Sequence, residues 1–72
     1  MGYVVKISRK DGQKLDKRQY LCLKDLNGDG KPDFVRATRN HATIFDALED
    51  AKSNSVQNYC DYFNYNATVE EV

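Results

Sequence analysis

Oxygen-bearing side chains recur at short intervals in one loop of this sequence and could bind a cation. The loop spans residues 25–33 and reads Asp-Leu-Asn-Gly-Asp-Gly-Lys-Pro-Asp, with side-chain oxygens at its first, third, fifth and ninth positions. The glycine at the sixth position permits a sharp turn, and the backbone carbonyl at the seventh can add a ligand. Hard oxygen ligands at this spacing suit Ca²⁺. The sequence therefore predicts a calcium site formed by Asp25, Asn27, Asp29, Lys31 and Asp33, with Lys31 contributing its carbonyl.

The loop resembles the calcium loop of FG-GAP repeats, the blades of integrin-type β-propellers. Those loops follow the pattern Asp-x-Asn-x-Asp-Gly-x-x-Asp and run directly into a strand, as Asp33-Phe34-Val35 does here. The resemblance is confined to this loop. It implies that the side chains of Asp25, Asn27, Asp29 and Asp33 are the ligands.

A long hairpin turn is the alternative interpretation of the same loop. Asn27-Gly28 and Asp29-Gly30 are pairs that tolerate positive φ, so they are typical of turns between strands. Both interpretations place one strand before the loop and another after it.

Histidine and cysteine are the remaining residues that could support catalysis or bind a metal. His41 is the single histidine, and Cys22 and Cys60 are the two cysteines. No nucleophile-elbow or Gly-rich oxyanion motif accompanies them. A chain of 72 residues also leaves little room for a catalytic cleft beside its core. We therefore expect a protein that is not an enzyme and carries no cofactor other than the calcium ion considered above.

Period-two alternation predicts the strands that must position these residues. Tyr3, Val5 and Ile7 alternate with more polar neighbours, and residues 19–24 and 34–38 form two further strand-like runs. Residues 65–70 alternate in the same way, which predicts a short last strand.

Helical spacing appears between the third and last of these runs. We predict one helix over about residues 46–63, with a capping box formed by Asp46 and Glu49, a weak point near residues 53–55 and a C-cap at Asn64. The helical face predicted to be buried comprises Leu48, Ala51, Ser55, Tyr59 and Tyr62, flanked by Val56 and Phe63. The order β-β-β-α-β over a single domain, residues 1–72, predicts an α+β fold: a three- to four-stranded antiparallel sheet with one helix on one face and the last strand beside the first.

Charge is segregated along the chain although the net charge is zero. Residues 1–41 carry ten basic and five acidic side chains, a balance of +5, whereas residues 42–72 carry one basic and six acidic ones, a balance of −5. The basic half suggests nucleic-acid binding, with Tyr3, Tyr20 and Phe34 available for stacking if they face outward. The basic residues considered are Lys6, Arg9, Lys10, Lys14, Lys17, Arg18, Arg36 and Arg39.

Aromatic residues are concentrated near the end of the predicted helix. This region contains four aromatic side chains, which is more than one small core requires: Tyr59, Tyr62, Phe63 and Tyr65. Tyrosine is enriched at interfaces, so part of this group is predicted to be a contact surface for another protein or a homodimer interface.

Membrane insertion is not expected from the hydropathy pattern. No apolar run approaches the roughly 18–20 residues that span a bilayer. The first residues, Met-Gly-Tyr-Val-Val-Lys, lack the apolar region of a signal peptide. The sequence predicts a cytoplasmic protein.

Short pieces along most of the chain are similar to small uncharacterised phage and prophage proteins of Gram-positive bacteria. The matching pieces are residues 3–7, 20–21, 37–40, 44–45, 49–51 and 69–72. The resemblance implies a protein made in an infected host that binds a host or phage protein. We accordingly expect a non-enzymatic interaction module, more specifically a phage-encoded modulator of a host protein, with calcium binding and nucleic-acid binding as the alternatives.

Overall fold

Residues 2–72 are described by a computed structural model with four strands, one 3₁₀ turn and two short α-helices. In chain order these are β1 (Tyr3–Arg9), β2 (Tyr20–Lys24), β3 (Asp33–Ala37), the 3₁₀ turn (Arg39–His41), α1 (Leu48–Ala51), α2 (Asn54–Tyr62) and β4 (Tyr65–Glu71). The strands form one antiparallel sheet in the order β3-β2-β1-β4. The predicted α+β fold is confirmed, including the last strand beside the first.

The longest ladder joins the two ends of the chain. β1 and β4 are in register over seven residue pairs, from Tyr3 opposite Glu71 to Arg9 opposite Tyr65. The Val72 N–H donates to the Gly2 carbonyl over 2.9 Å and extends the ladder beyond the strand ends. β1 is an inner strand with buried residues on both faces: Val5 and Ile7 lie beneath the helices, and Val4, which alternates with them, is 2% exposed.

β1 and β2 pair closely only near Lys6 and Tyr20, and the segment Thr43–Phe45 lies between them further along. The Thr43 N–H donates to the Leu21 carbonyl over 3.1 Å, and the Thr43 Oγ1 accepts from the Leu23 N–H over 2.7 Å. On its other side, Phe45 exchanges two backbone hydrogen bonds with Tyr3, of 2.9 and 2.7 Å. We call Thr43–Phe45 the inserted segment. It satisfies backbone groups that the diverging strands leave unpaired.

The helix predicted over about residues 46–63 is present, but it is broken next to its predicted weak point, so that α1 and α2 together occupy this region. Lys52 leaves helical geometry, and Ser53 then caps α2 by accepting a 3.4 Å hydrogen bond from the Val56 N–H. The predicted capping box formed by Asp46 and Glu49 is wrong. The N-cap of α1 is Ala47, which makes no side-chain cap.

The predicted buried face of the helix is wrong in part for the same reason. Two non-helical residues change the phase between α1 and α2, so Ala51, Val56 and Cys60 are the buried side chains. Tyr62, which was expected on this face, is 80% exposed. The core comprises Val5, Ile7, Leu21, Ala51, Val56 and Cys60.

Candidate interaction surface

Five aromatic side chains from three elements form one connected cluster on the helix side of the sheet. We call Phe34, Tyr59, Tyr62, Phe63 and Tyr65 the aromatic patch. The Tyr59 ring lies at its centre, with ring centroids 5.6 Å from Phe34, 4.9 Å from Phe63 and 6.2 Å from Tyr65. Phe63 also stacks on Tyr65 at 5.7 Å and meets the edge of Tyr62 at 4.8 Å.

The aromatic patch is buried on its inner side and exposed on its outer side. Phe34, Tyr59 and Tyr65 are half-buried and pack against the core, whereas Tyr62 is 80% and Phe63 48% exposed. Burial raises the pKa of the Tyr59 phenol further above the physiological range. The outer rings thus rest on a rigid aromatic base and lose little conformational freedom if another molecule covers them.

The turn from α2 into β4 positions the Phe63 ring. The Phe63 N–H donates to the Tyr59 carbonyl and closes the helix, and Asn64 follows with φ of 58°. Asparagine tolerates this left-handed conformation. The helix cap is therefore Phe63, and the predicted C-cap Asn64 is the residue just beyond it. This tight reversal brings Phe63 over Tyr65.

Sequence reasoning identified four members of the aromatic patch by their density and missed the role of Phe34. That residue was considered for nucleic-acid stacking together with Tyr3 and Tyr20. In the structure these three rings do not share one outward face: Tyr20 is 8% exposed, whereas Tyr3 and Phe34 pack against the core. No local signal shows that Phe34 reaches Tyr59, because the contact joins residues 25 positions apart.

The basic side chains considered for nucleic-acid binding are largely engaged within the chain. Five of the eight form ion pairs: Arg9 with Asp11, Lys10 with Asp61, Arg18 and Arg36 with Asp16, and Arg39 with Glu70. The Arg18 hydrogen bonds lower the pKa of Asp16 to about 2. Nucleic-acid binding stays a prediction. Fewer basic side chains are unpaired and able to bind phosphate than the sequence suggests.

Asp25 organises the loop that was predicted to bind calcium. Its carboxylate accepts hydrogen bonds from the Gly28 N–H at 2.8 Å and the Gly30 N–H at 3.0 Å, and both glycines have positive φ. Asp29 accepts in turn from the Lys31 N–H at 2.9 Å. Among residues 2–72 no group of three or more acidic, histidine or cysteine side chains is arranged to hold a metal ion. The calcium site therefore stays a prediction for Asp25, Asn27, Asp29, Lys31 and Asp33. The carboxylates of Asp25 and Asp29 already accept hydrogen bonds from backbone N–H groups of this loop.

The histidine and cysteines lie in separate environments. The His41 Nδ1 lies 3.1 Å from the Thr38 Oγ1. Cys60 is fully buried in the core, and burial raises the pKa of its thiol, which disfavours the nucleophilic thiolate. Cys22 is half-buried, with its Sγ 3.7 Å from the Leu23 carbonyl.

An open groove of about 580 Å³ separates the two helices from β4. Its lining is mixed in polarity and includes Leu48, Val56, Gln57, Val69 and Glu71. The groove follows the outer edge of β4, where the sheet ends.

Comparison of the chain with protein-family models, curated proteins and solved structures gives no match. In the described part of the chain, every helix is too short or too polar to cross a membrane. The fold and the surfaces described above are thus the basis for assigning a function.

Proposed function

We propose that this protein is a non-enzymatic protein-binding module that contacts its partner through the aromatic patch. The observation that carries the proposal is the exposure of Tyr62 and Phe63, at 80% and 48%: Phe63 packs on Tyr59 and Tyr65, and Tyr62 packs on Phe63. Exposed aromatic side chains on a rigid base are typical of the centres of protein interfaces, where a few such residues supply most of the binding energy.

The surroundings of the aromatic patch favour a protein partner over a nucleic acid. Two basic side chains near the patch are both paired: Lys10 with Asp61 at 3.8 Å, and Arg36, which acts electrostatically on Tyr59, with Asp16 at 3.0 Å. The patch therefore offers apolar area and phenol hydroxyls without a surplus of positive charge, which phosphate binding would need. The resemblance to phage proteins supports a host protein as the partner, with the chain acting as its modulator.

Partner recovery from host lysate by patch variants tests this proposal. We expect Tyr62→Ser and Phe63→Ser each to reduce recovery of a specific partner by about 30-fold, because each removes a hot-spot ring. The matched control is Leu26→Ser, which removes a 57% exposed apolar side chain from the loop between β2 and β3. Circular dichroism verifies that all three variants are folded. Recovery of the same partner at equal yield by the patch variants, or repeated failure to recover any partner, would contradict the proposal.

Calcium binding by Asp25, Asn27, Asp29, Lys31 and Asp33 is the second candidate, supported by the spacing of their oxygens. Ca²⁺ would have to compete with the Gly28 and Gly30 amides for the Asp25 carboxylate. An NMR titration would show the two amide signals moving as those hydrogen bonds are lost. Unchanged signals at millimolar Ca²⁺ would rule the site out.

A further inference from the structure

The outer edge of β4 carries a row of backbone groups that point away from the sheet. The Lys10 N–H donates to the Asn64 carbonyl and the Val72 N–H to the Gly2 carbonyl, so the even-numbered residues of β4 bond to β1. By alternation, the N–H and C=O groups of Tyr65, Ala67, Val69 and Glu71 point outward. No strand of residues 2–72 pairs with this edge.

The two edges of the sheet differ in how well they are protected against pairing. β3 is five residues long, follows Pro32 and carries charges at Asp33 and Arg36. Proline, charge and short length all discourage strand addition. β4 is seven residues long, and its first five residues contain neither a charge nor a proline. The β4 edge is therefore the one suited to accept another strand.

We propose that two copies of this chain pair antiparallel through their β4 edges, with the two-fold axis at Thr68, and form one continuous eight-stranded sheet. This register pairs all seven residues of β4. Outward-pointing Ala67 faces Val69 of the second copy, and Tyr65 faces Glu71. Four such residue pairs, with two hydrogen bonds each, give about eight backbone hydrogen bonds.

Charge and the length of the pairing select this register over its neighbours, because an axis at residue 66 would pair only residues 65–67 of β4. With the axis at Thr68, Glu70 faces Asn66 of the second copy, and Glu71 faces Tyr65, so no two carboxylates are directly opposed. Moving the axis to residue 70 would place the two Glu70 side chains against each other, which is unfavourable. A two-fold axis also closes the assembly at two copies, whereas pairing of β4 with β3 of another copy would continue into a fibre.

The dimer also covers apolar surface beside the groove. Val69 packs against the core from the helix side of the sheet, and Ala67 shares that side by alternation. Pairing places Val69 of the second copy beside the exposed Ala67. Asn66 and Thr68 lie on the opposite face, away from the aromatic patch, so substitutions at these positions test the dimer without changing the surface proposed to bind a partner.

Opposite charges introduced at Asn66 test both the dimer and its register. Asn66 is exposed and faces the uncharged Ser8 within its own chain. Asn66→Lys should lower the dimer dissociation constant about five-fold, because it faces Glu70 of the second copy at two symmetric places, and Asn66→Glu should raise it by a similar factor. Thr68→Glu should also weaken the dimer, since the two glutamates would meet at the axis, and Lys6, which faces residue 68 within each chain, should reduce the effect.

Sedimentation equilibrium across micromolar to millimolar concentrations, at low and high salt, measures these constants. Asn40→Lys and Asn40→Glu are the matched controls, because Asn40 is exposed in the 3₁₀ turn beyond β3; both should leave the dissociation constant unchanged. Circular dichroism establishes that each variant is folded. A monomer at every concentration, equal constants for the two Asn66 variants, or species larger than a dimer would each overturn the proposal.

Discussion

Tyr20 links three parts of the chain through one hydroxyl and one ring. Its OH donates to the Glu70 Oε1 over 2.7 Å, and Arg39 donates to the same oxygen over 3.1 Å. The Arg39 guanidinium also lies 5.8 Å from the centre of the Tyr20 ring. These contacts connect β2, β4 and the 3₁₀ turn on the face of the sheet opposite the helices.

Stability should depend on the ionisation of Tyr20. The Glu70 carboxylate raises the pKa of the Tyr20 phenol, because it accepts a hydrogen bond that only the neutral form can donate. The folded state therefore keeps its proton at pH values where the unfolded chain loses it. The hydrogen bond contributes fully below the unfolded pKa of about 10, and this contribution is lost as pH rises from there toward the folded pKa.

We expect Tyr20→Phe to lower the free energy of unfolding by about 1 kcal/mol at neutral pH. The difference from the wild type should shrink above about pH 10. Urea unfolding over this pH range is the measurement. Tyr62→Phe, at an 80% exposed position, serves as the control and should change stability little at any pH. A Tyr20→Phe difference that stays constant to high pH would show that the hydroxyl contributes no proton linkage.

At the scale of the elements, the inserted segment Thr43–Phe45 is the feature that sequence patterns could not predict. Residues 3–7 and 65–70 alternate over enough positions to identify β1 and β4. Thr43, Ile44 and Phe45 are too few to show a period, and their partners in β1 and β2 lie about twenty or more residues away. The break between α1 and α2 was visible only as weak helix propensity near Ser53, because capping by Ser53 competes with continuing the helix.

The Thr43 hydroxyl should be essential to the inserted segment. Thr43→Val keeps the shape of the side chain but leaves the Leu23 N–H without its acceptor, which lies 2.7 Å away in the wild type. We expect a loss of about 1–2 kcal/mol in the free energy of unfolding, together with faster hydrogen exchange at the Leu23 amide. Thr43→Ser retains the acceptor and should preserve most of the protection. Equal exchange rates in the two variants would show that the hydroxyl is not what protects this amide.

For the whole molecule, the fold brings the basic and acidic halves of the sequence together. Two ion pairs, Lys10–Asp61 and Arg39–Glu70, cross between residues 1–41 and residues 42–72. Each is exposed and contributes little alone. Some of the segregated charges thus attract each other within the chain, whereas the sequence alone suggested that they attract an external partner. Linear order could not show this, because the pairs span 51 and 31 positions.

The proximity of Gly2 and Val72, joined by a 2.9 Å hydrogen bond, predicts that the chain tolerates circular permutation. Linking these residues with a short Gly-Ser segment and opening the exposed loop between Asp29 and Gly30 should preserve the fold, because no strand or helix is cut. Opening the chain between Thr43 and Ile44 instead should destabilise it strongly, since this cut divides the inserted segment. Circular dichroism and thermal unfolding compare the two permutants. Equal stability would show that the inserted segment does not need to be continuous.

The ladder between β1 and β4 also sets the order in which the chain can fold as it is synthesised. Of the four strands described, β1 is made first and its neighbour β4 is made last. Until β4 is synthesised, Val5 and Ile7 are only partly buried. One edge of β1 is also unpaired and can bind any extended peptide nearby. The nascent chain therefore passes through a period of exposure that ends only when β4 is complete.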